Sequence, residues 1–207
     1  MSSLAIFGSG GHGKVVADIA LALSWSTIHF YDDAYINNAG AMLTNNGNFA
    51  QLLSTHSNYD AVIIAIGDSK VRWDRQNKLQ KAGAKIATLI HPFSSISQHA
   101  ILGAGTVVMP GVIINSSAIV GDACIINTGS TIDHDCKIGD GSHICPGVHL
   151  AGSIIVGRFT FIGIGTSISP QVHIGSNVII GAGSVVIDHV PDDVKVVGNP
   201  ARKISNN

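Results

Sequence analysis

Ser94–Val120 reads SSISQHAILGAGTVVMPGVIINSSAIV, and its sixth-residue beat decides the fold. Ile96, Leu102, Val108, Ile114 and Val120 keep the count. It continues without a miss through Ile126, Ile132, Ile138, Ile144, Leu150, Val156, Ile162, Ile168, Ile174, Ile180 and Val186. Two residues before each aliphatic stands a small or β-branched residue, from Ser94, Ala100 and Thr106 through Cys124 to Ser184. A slower beat lies on top. Glycine follows the aliphatic at Gly103, Gly121, Gly139, Gly157 and Gly175, every eighteenth residue. Neither a 3.6-residue helix nor a flat two-residue alternation keeps such a period over so long a stretch. A solenoid does, with six residues on one side of a coil and eighteen in a triangular turn. The stretch therefore predicts a parallel β-helix, its aliphatic column inward and its coils stacked about 4.8 Å apart.

Upstream of the repeat the pattern changes. Leu4-Ala5-Ile6-Phe7, Ile28-His29-Phe30-Tyr31 and Ala61–Ile66 read as buried strands. A last strand is expected at Ile86–Ile90. Helices are expected at Lys14–Leu23, at Phe49–Leu53, and at Lys70–Ala82 with Gly83 as its stop. Asn37–Asn48 reads as a loop. Alternating strands and helices imply a small parallel sheet with helices on its faces. The expected organisation is an α/β domain at 1–92, a β-helix at 93–190 and a tail at 191–207 that breaks the period and covers the open end of the coil.

Twelve Lys and Arg face 13 Asp and Glu, a formal net charge of −1, which gives no pull toward nucleic acid or an anionic membrane. No run of eighteen apolar residues and no basic leader appear, so the expectation is a cytoplasmic protein without membrane insertion. The 3 cysteines form no disulfide framework. Cys124 and Cys136 fall in the small inward slots, and Cys145 in another.

Gly8-Ser9-Gly10-Gly11-His12-Gly13 matches G-x-G-x-x-G between a strand and a helix, with Asp32 and Asp33 ending the next strand. Such glycines let the backbone approach phosphate at a helix N-terminus. The domain is Rossmann-like but lacks the second mononucleotide half, so one nucleotide diphosphate unit is favoured over NAD. A tight strand–helix turn without ligand is the competing reading. His12 either donates to a phosphate or sugar or is a plain loop residue.

His134, in Ile132-Asp133-His134-Asp135, falls on a corner of the coil, between Ser116 one turn earlier and Gly152 one turn later. With no side chain at Gly152, an open groove is expected beside the ring. An imidazole flanked by two carboxylates is suited to general base work; an exposed histidine in a polar corner is the bland alternative. Cys136 points inward and is rejected as a nucleophile. His143 and His149, six apart, lie on different faces and cannot share a metal within one chain, although they could across a subunit interface. Lys195, Arg202 and Lys203 in the tail either meet a phosphate or solubilise the surface.

The Gly8–Gly13 loop, Asp32-Asp33, Leu89-Ile90-His91-Pro92, the hexapeptide coil, Asp133-His134-Asp135 and Gly198-Asn199-Pro200-Ala201 together resemble the PglD/NeuD-type sugar acyltransferases, in order and over essentially the whole chain. The resemblance implies a left-handed β-helix acyltransferase domain at 93–190 after a nucleotide-sugar-binding domain at 1–92. It implies a homotrimer with acetyl-CoA in the groove between neighbouring coils, and no metal. The reaction implied is acetylation of the 4-amino group of a UDP-4-amino-4,6-dideoxy-N-acetylhexosamine, as in bacillosamine-type glycan biosynthesis. By the same resemblance His134 is the general base and Asp135 its support. Asn127 and His143 lie near the amine and the acetyl end. Gly152 turns its N–H to the thioester, and Ile164 and Gly181 wall the acetyl-CoA. Gly10, Gly11, His12 and Asp32 serve the nucleotide sugar. Aspartate stands around His134 where glutamate also occurs in the family. Competing readings keep the coil and change the chemistry: sialic acid O-acetylation, GDP-perosamine N-acetylation, a zinc-dependent hydratase like the γ-type carbonic anhydrases, an NAD-binding dehydrogenase, or a nucleotide-sugar sensor.

Overall fold

A computed structural model describes residues 2–34 and 45–204. The chain forms two compact units, Met1–Leu89 and Ile90–Asn207. Residues 37–44 of the expected loop lie outside the described residues.

In the first unit, β1 (Ser3–Phe7), β2 (Thr27–Tyr31) and β3 (Ala61–Ile64) form a parallel sheet in the order β2-β1-β3. Leu4 and Ile6 on one side and Ala5 and Phe7 on the other are all buried, as a strand covered on both faces requires. α1 (Gly11–Ala22) turns Val16, Ile19 and Ala20 inward. α2 (Phe49–Thr55) begins with a capping box, in which Asn48 Oδ1 accepts the Gln51 N–H and Gln51 Oε1 accepts the Asn48 N–H. α3 (Ser69–Lys81) starts on Asp68, whose Oδ1 accepts from the Lys70 and Val71 amides.

The strand expected at Ile86–Ile90 is not a strand of this sheet. Only a bridge forms, with the Val62 N–H donating to Lys85 O and the Ala87 N–H to Val62 O. Leu89–Ile90 instead heads a face of the coil. An aliphatic alternation says that residues are buried, not which sheet buries them.

The second unit is a parallel β-helix with three faces. The first carries Val107–Val108, Ile125–Ile126, His143–Ile144, Phe161–Ile162 and Ile179–Ile180. The second runs from Ser95–Ile96 through Thr131–Ile132 and His149–Leu150 to Val185–Val186. The third runs from Ile101–Leu102 through Lys137–Ile138 to His173–Ile174. Up to Val186 each strand residue pairs with the one eighteen further on, as Ile126 does with Ile144 and Ile132 with Leu150. The aliphatic column fills the core from Val108 to Val186. Ile96 and Leu102, in the first turn, are only half buried.

The small column packs between the aliphatics. Its buried hydroxyls find backbone partners: Thr106, Ser142 and Thr160 donate to the carbonyls of Gly121, Gly157 and Gly175 at 2.7–2.9 Å. The eighteenth-residue glycines have a steric cause. A Cβ on Gly121 would stand 2.8 Å from the Asp140 amide nitrogen, and one on Gly139 would stand 2.7 Å from that of Arg158.

The tail differs from a simple cover. Ile168 pairs with Val186, eighteen on, but Ile174 bridges Val190, sixteen on, so the last turn is tightened. Lys195–Gly198 then continues the first face in parallel with Ile179–Ile180, and Ala201–Lys203 folds back antiparallel on it. Val190, Val194 and Val196 join the core.

Ile144 is fully buried at the middle of the aliphatic column. Ile144→Ala removes most of that side chain from a packed core and is expected to cost about 2–5 kcal/mol. A lowered urea midpoint for the coil, with an unchanged midpoint for a surface control such as Lys137→Ala, is the expected result.

Candidate active site

The coil turns through residues in the left-handed region. On the corner between the second and third faces these are Ser117, Asp135, Ser153 and Gln171, all with φ of 61–63° apart from Asp135 at 60°. Aspartate tolerates that region better than most side chains. The Asp135 N–H donates to Ser116 O one turn back, and the Ser153 N–H donates to His134 O. The corner is thereby fixed on both sides. Asp135 Oδ2 lies 2.7 Å from His134 Nδ1, so the carboxylate, an acceptor only, sets the proton on Nδ1. Nε2 keeps its lone pair.

The room that Gly152 leaves beside the ring is not empty. A Cβ on Gly152 would stand 2.5 Å from His134 Nε2, so the imidazole itself lies over Gly152 and fills that space. The Gly152 carbonyl accepts the Gln171 N–H, whereas its own N–H has no protein acceptor among the described residues. A basic ring nitrogen and an unused peptide N–H are thus neighbours. The ring is also not flanked by two carboxylates in the same sense. Asp133 Oδ1 accepts the His134 main-chain N–H and the Asn115 Nδ2–H, each at 2.8 Å, and only Asp135 bonds the imidazole. The Asp135 bond, with the Asp133 charge behind it, raises the His134 pKa above its ordinary value. Asn115 and then the His134 N–H hold the Asp133 carboxyl below its usual range. Asn115 escaped the sequence reading, although it stands eighteen residues before Asp133 and the register marks it.

Cys136 is buried, its thiol pushed up by burial and donating to Ala151 O at 3.1 Å. Burial also raises Cys145, to about 11. Neither has the thiolate character of a nucleophile.

Asn127, His143, Ile164 and Gly181 gather on the first face and the corner that follows it. Asn127 Nδ2 lies 3.2 Å from His143 Nε2, and the Phe161 ring meets the imidazole edge-on at 5.2 Å. Ile164 is 56% exposed. A Cβ on Gly181 would stand 2.5 Å from Val197 Cγ1, so the glycine admits the tail hairpin. The strand Thr131–Ile132 separates this group from His134, and the two groups do not meet within one chain. His149 lies on the second face, bonded to Thr131 Oγ1 at 3.0 Å, apart from His143 on the first. Among the described residues no three His, Cys, Asp or Glu side chains are grouped to hold a metal ion.

In the first unit the glycine loop is built for close approach. A Cβ on Gly8, at φ +113°, would stand 2.5 Å from Ala65 O, and one on Gly13 would strike the Gly8 carbonyl oxygen. Gly10 and Gly11 face open space, and no side chain caps α1. Asp32 is spent on the loop itself. Its Oδ2 accepts the Ser9 N–H at 2.7 Å and the Ser9 hydroxyl at 2.6 Å, and its Oδ1 accepts the Ala34 N–H. Burial pushes this carboxyl up, but the Ser9 and Ala34 bonds together hold it below its usual value. His12 Nε2 is enclosed without a hydrogen-bond partner among the described residues. Burial, with the Arg72 charge beside it, lowers the His12 pKa to about 4, so the ring is neutral at pH 7. Arg72, itself buried, donates to the carbonyls of Ile66 and Gly67.

Residues 3–79 match the PglD N-terminal domain, and 117–152 and 153–188 match the bacterial transferase hexapeptide (six repeats). The acetyltransferase domain of PglB from Neisseria gonorrhoeae, solved with acetyl coenzyme A, is 36% identical, covers 98% of each chain and superposes with a TM-score of 0.93. PerB from Caulobacter crescentus, solved with CoA and GDP-perosamine, is 34% identical over 99% of this chain and 98% of that one, with a TM-score of 0.93. The UDP-N-acetylbacillosamine N-acetyltransferase of Bacillus subtilis is 37% identical over 112 residues, 53% of this chain. That match spans about half of the curated relative, 52% of its length.

Two outcomes follow from this geometry. Gly152→Ala places a methyl group where the His134 ring lies, and is expected to displace the imidazole without unfolding the coil; a crystal structure of the variant reads the ring position. His12 binds a proton more readily when unfolded, because its folded pKa is depressed to about 4 from 6.5. The first unit therefore loses stability as pH falls between those values, and His12→Asn removes that dependence. An NMR titration of His12 with a midpoint near 6.5 would contradict its enclosure.

Proposed function

The chain belongs to the PglD/NeuD-type sugar acyltransferases, and from that premise we propose that it is an acetyl-CoA-dependent N-acetyltransferase acting on the 4-amino group of a UDP-4-amino-4,6-dideoxy-N-acetylhexosamine. The observation that carries this reading is the corner where Asp135 orients His134 and Nε2 lies against Gly152. The similarity to a bacillosamine-type N-acetyltransferase supports the acceptor. The full-length likeness to PerB, solved with GDP-perosamine, favours GDP-perosamine as the second reading.

In this reading the sugar amine attacks the thioester carbonyl. A C–N bond forms, the C–S bond breaks, and His134 Nε2 takes the amine proton and passes it to the departing thiolate. Base catalysis of this kind contributes roughly 10²–10⁴-fold. The Gly152 N–H stabilises the oxyanion, and binding amine and thioester side by side supplies much of the rest. The imidazolium formed in this step is stabilised by Asp135. Gly10, Gly11 and the first turn of α1 receive the diphosphate of the nucleotide sugar. His12 acts there as a neutral hydrogen-bonding group rather than a cation, and Asp32 acts by shaping the loop.

The separation of the His134 corner from Asn127, His143, Ile164 and Gly181 supports a homotrimer, in which the corner of one coil faces the other group on its neighbour. Acetyl-CoA then lies between subunits. A cytoplasmic location fits a substrate pair of acetyl-CoA and nucleotide sugar.

Thiol release from acetyl-CoA, measured against UDP-4-amino sugar, GDP-perosamine and free sialic acid, tests the proposal; turnover with none of them removes it. His134→Ala is expected to lower turnover by at least ~100-fold with binding retained. Because Asp135 raises the His134 pKa, activity is present above that pKa and lost as pH falls through it. Asp135→Asn is expected to move the acid limb of kcat/KM to lower pH.

A further inference from the structure

We propose that the Asn115 carboxamide and the Asp133 carboxylate form a positioning pair for His134, fixing the main chain that carries the imidazole and holding a second negative charge beside it. This rests on the reading of His134 as the base. Asn115 and Asp133 occupy the same corner position one turn apart. Backbone bonds hold them in register, from the Asn115 N–H to Ile132 O and from the Asp133 N–H to Leu150 O. Across that turn Asn115 Nδ2 donates to Asp133 Oδ1 at 2.8 Å, and the same oxygen accepts the His134 N–H at 2.8 Å.

Two carboxylates flank this histidine in sequence, and an imidazole Nδ1–H can serve either. Two donors on Oδ1 turn the Asp133 carboxylate toward Asn115 and the main chain, while Asp135 bonds the ring, which lies with Nε2 over Gly152. The charge of Asp133 acts on the ring without touching it. The charged groups facing His134 are Asp133 and Asp135; the adjoining turns present Ser116, Ser117, Gly152 and Ser153, which carry no charge. The clamp is not a requirement of the coil. The next positions in the same column are Ala151 and Ser169, where no such carboxamide–carboxylate bond exists and the corner has the same form, with Ser153 and Gln171 at φ 61° and 62°.

The two parts of the pair separate by mutation. Asp133→Asn keeps an acceptor oxygen and loses the charge, whereas Asp133→Ala loses both. Asn115 is exposed, so Asn115→Ala leaves the core intact. The measurements are the NMR titration of the His134 imidazole and pH profiles of acetyl transfer by the full chain. In Asp133→Asn the His134 midpoint and the acid limb of kcat/KM move to lower pH. Asn115→Ala and Asp133→Ala each lower kcat by roughly tenfold, with both KM values within about twofold of the parent. The double variant Asn115→Ala, Asp133→Ala is no slower than Asp133→Ala alone, because one bond cannot be lost twice. Additive losses, a loss confined to KM, or an unmoved midpoint in Asp133→Asn would overturn the pair. A moved midpoint supports the coupling even if no acceptor is turned over. Full turnover in His134→Ala instead removes the base assignment and leaves the midpoint to judge the pair.

Discussion

The parallel backbone ladder of the coil is the constraint on which the second unit depends. Along the faces each turn donates amides to carbonyls of the next, as Asn127 does to Ile144 and Asp133 to Leu150, and so up to Val186 the strand residues are locked beside those eighteen away. The core column that this register stacks is uniform, Ile, Leu or Val at sixteen successive sixth positions, so each turn packs on the next at close density. The ladder also explains why glycine recurs at Gly121 and Gly139. A Cβ there would press into the backbone of the next turn. Corners bend through left-handed residues because the alternative, a wider loop, would break the register of the faces on either side.

The candidate site is a product of that bending. Asp135 is left-handed because the corner needs one such residue, and that same conformation brings its carboxylate to His134 Nδ1. Gly152, one turn on, leaves the volume that the ring occupies. The geometry of this corner is thereby set by stacked strands rather than by a long loop, the kind of support that holds side chains within fractions of an ångström. The same stacking keeps Asn127 and His143 away, with a whole strand between the two groups.

Two histidines show opposite treatment by their surroundings. His134 is exposed and bonded to a carboxylate, which favours its charged form. His12 is enclosed beside a guanidinium, and both effects favour its neutral form. One is suited to accept a proton in passing. The other is suited to offer a hydrogen bond without adding a charge to a loop that already carries the positive end of α1.

The β-helix, the inward fate of Cys124 and Cys136, the corner position of His134 and its neighbours Ser116 and Gly152 were all determined by the sequence alone. A solenoid is a one-dimensional object, so position in the chain converts directly into position in space. By the same arithmetic Asn115 was within reach of the sequence, one period before Asp133. What required the tertiary structure was direction and company. Periodicity could not say that the His134 ring folds onto Gly152, that Asp133 turns to the backbone while Asp135 takes the ring, or that Asp32 serves the glycine loop through Ser9. Nor could it assign Leu89–Ile90 to the coil or tighten the last turn at Val190. Rotamers, hydrogen-bond choices between equivalent carboxylates, and the burial that neutralises His12 depend on neighbours brought together by folding, and no local repeat encodes them.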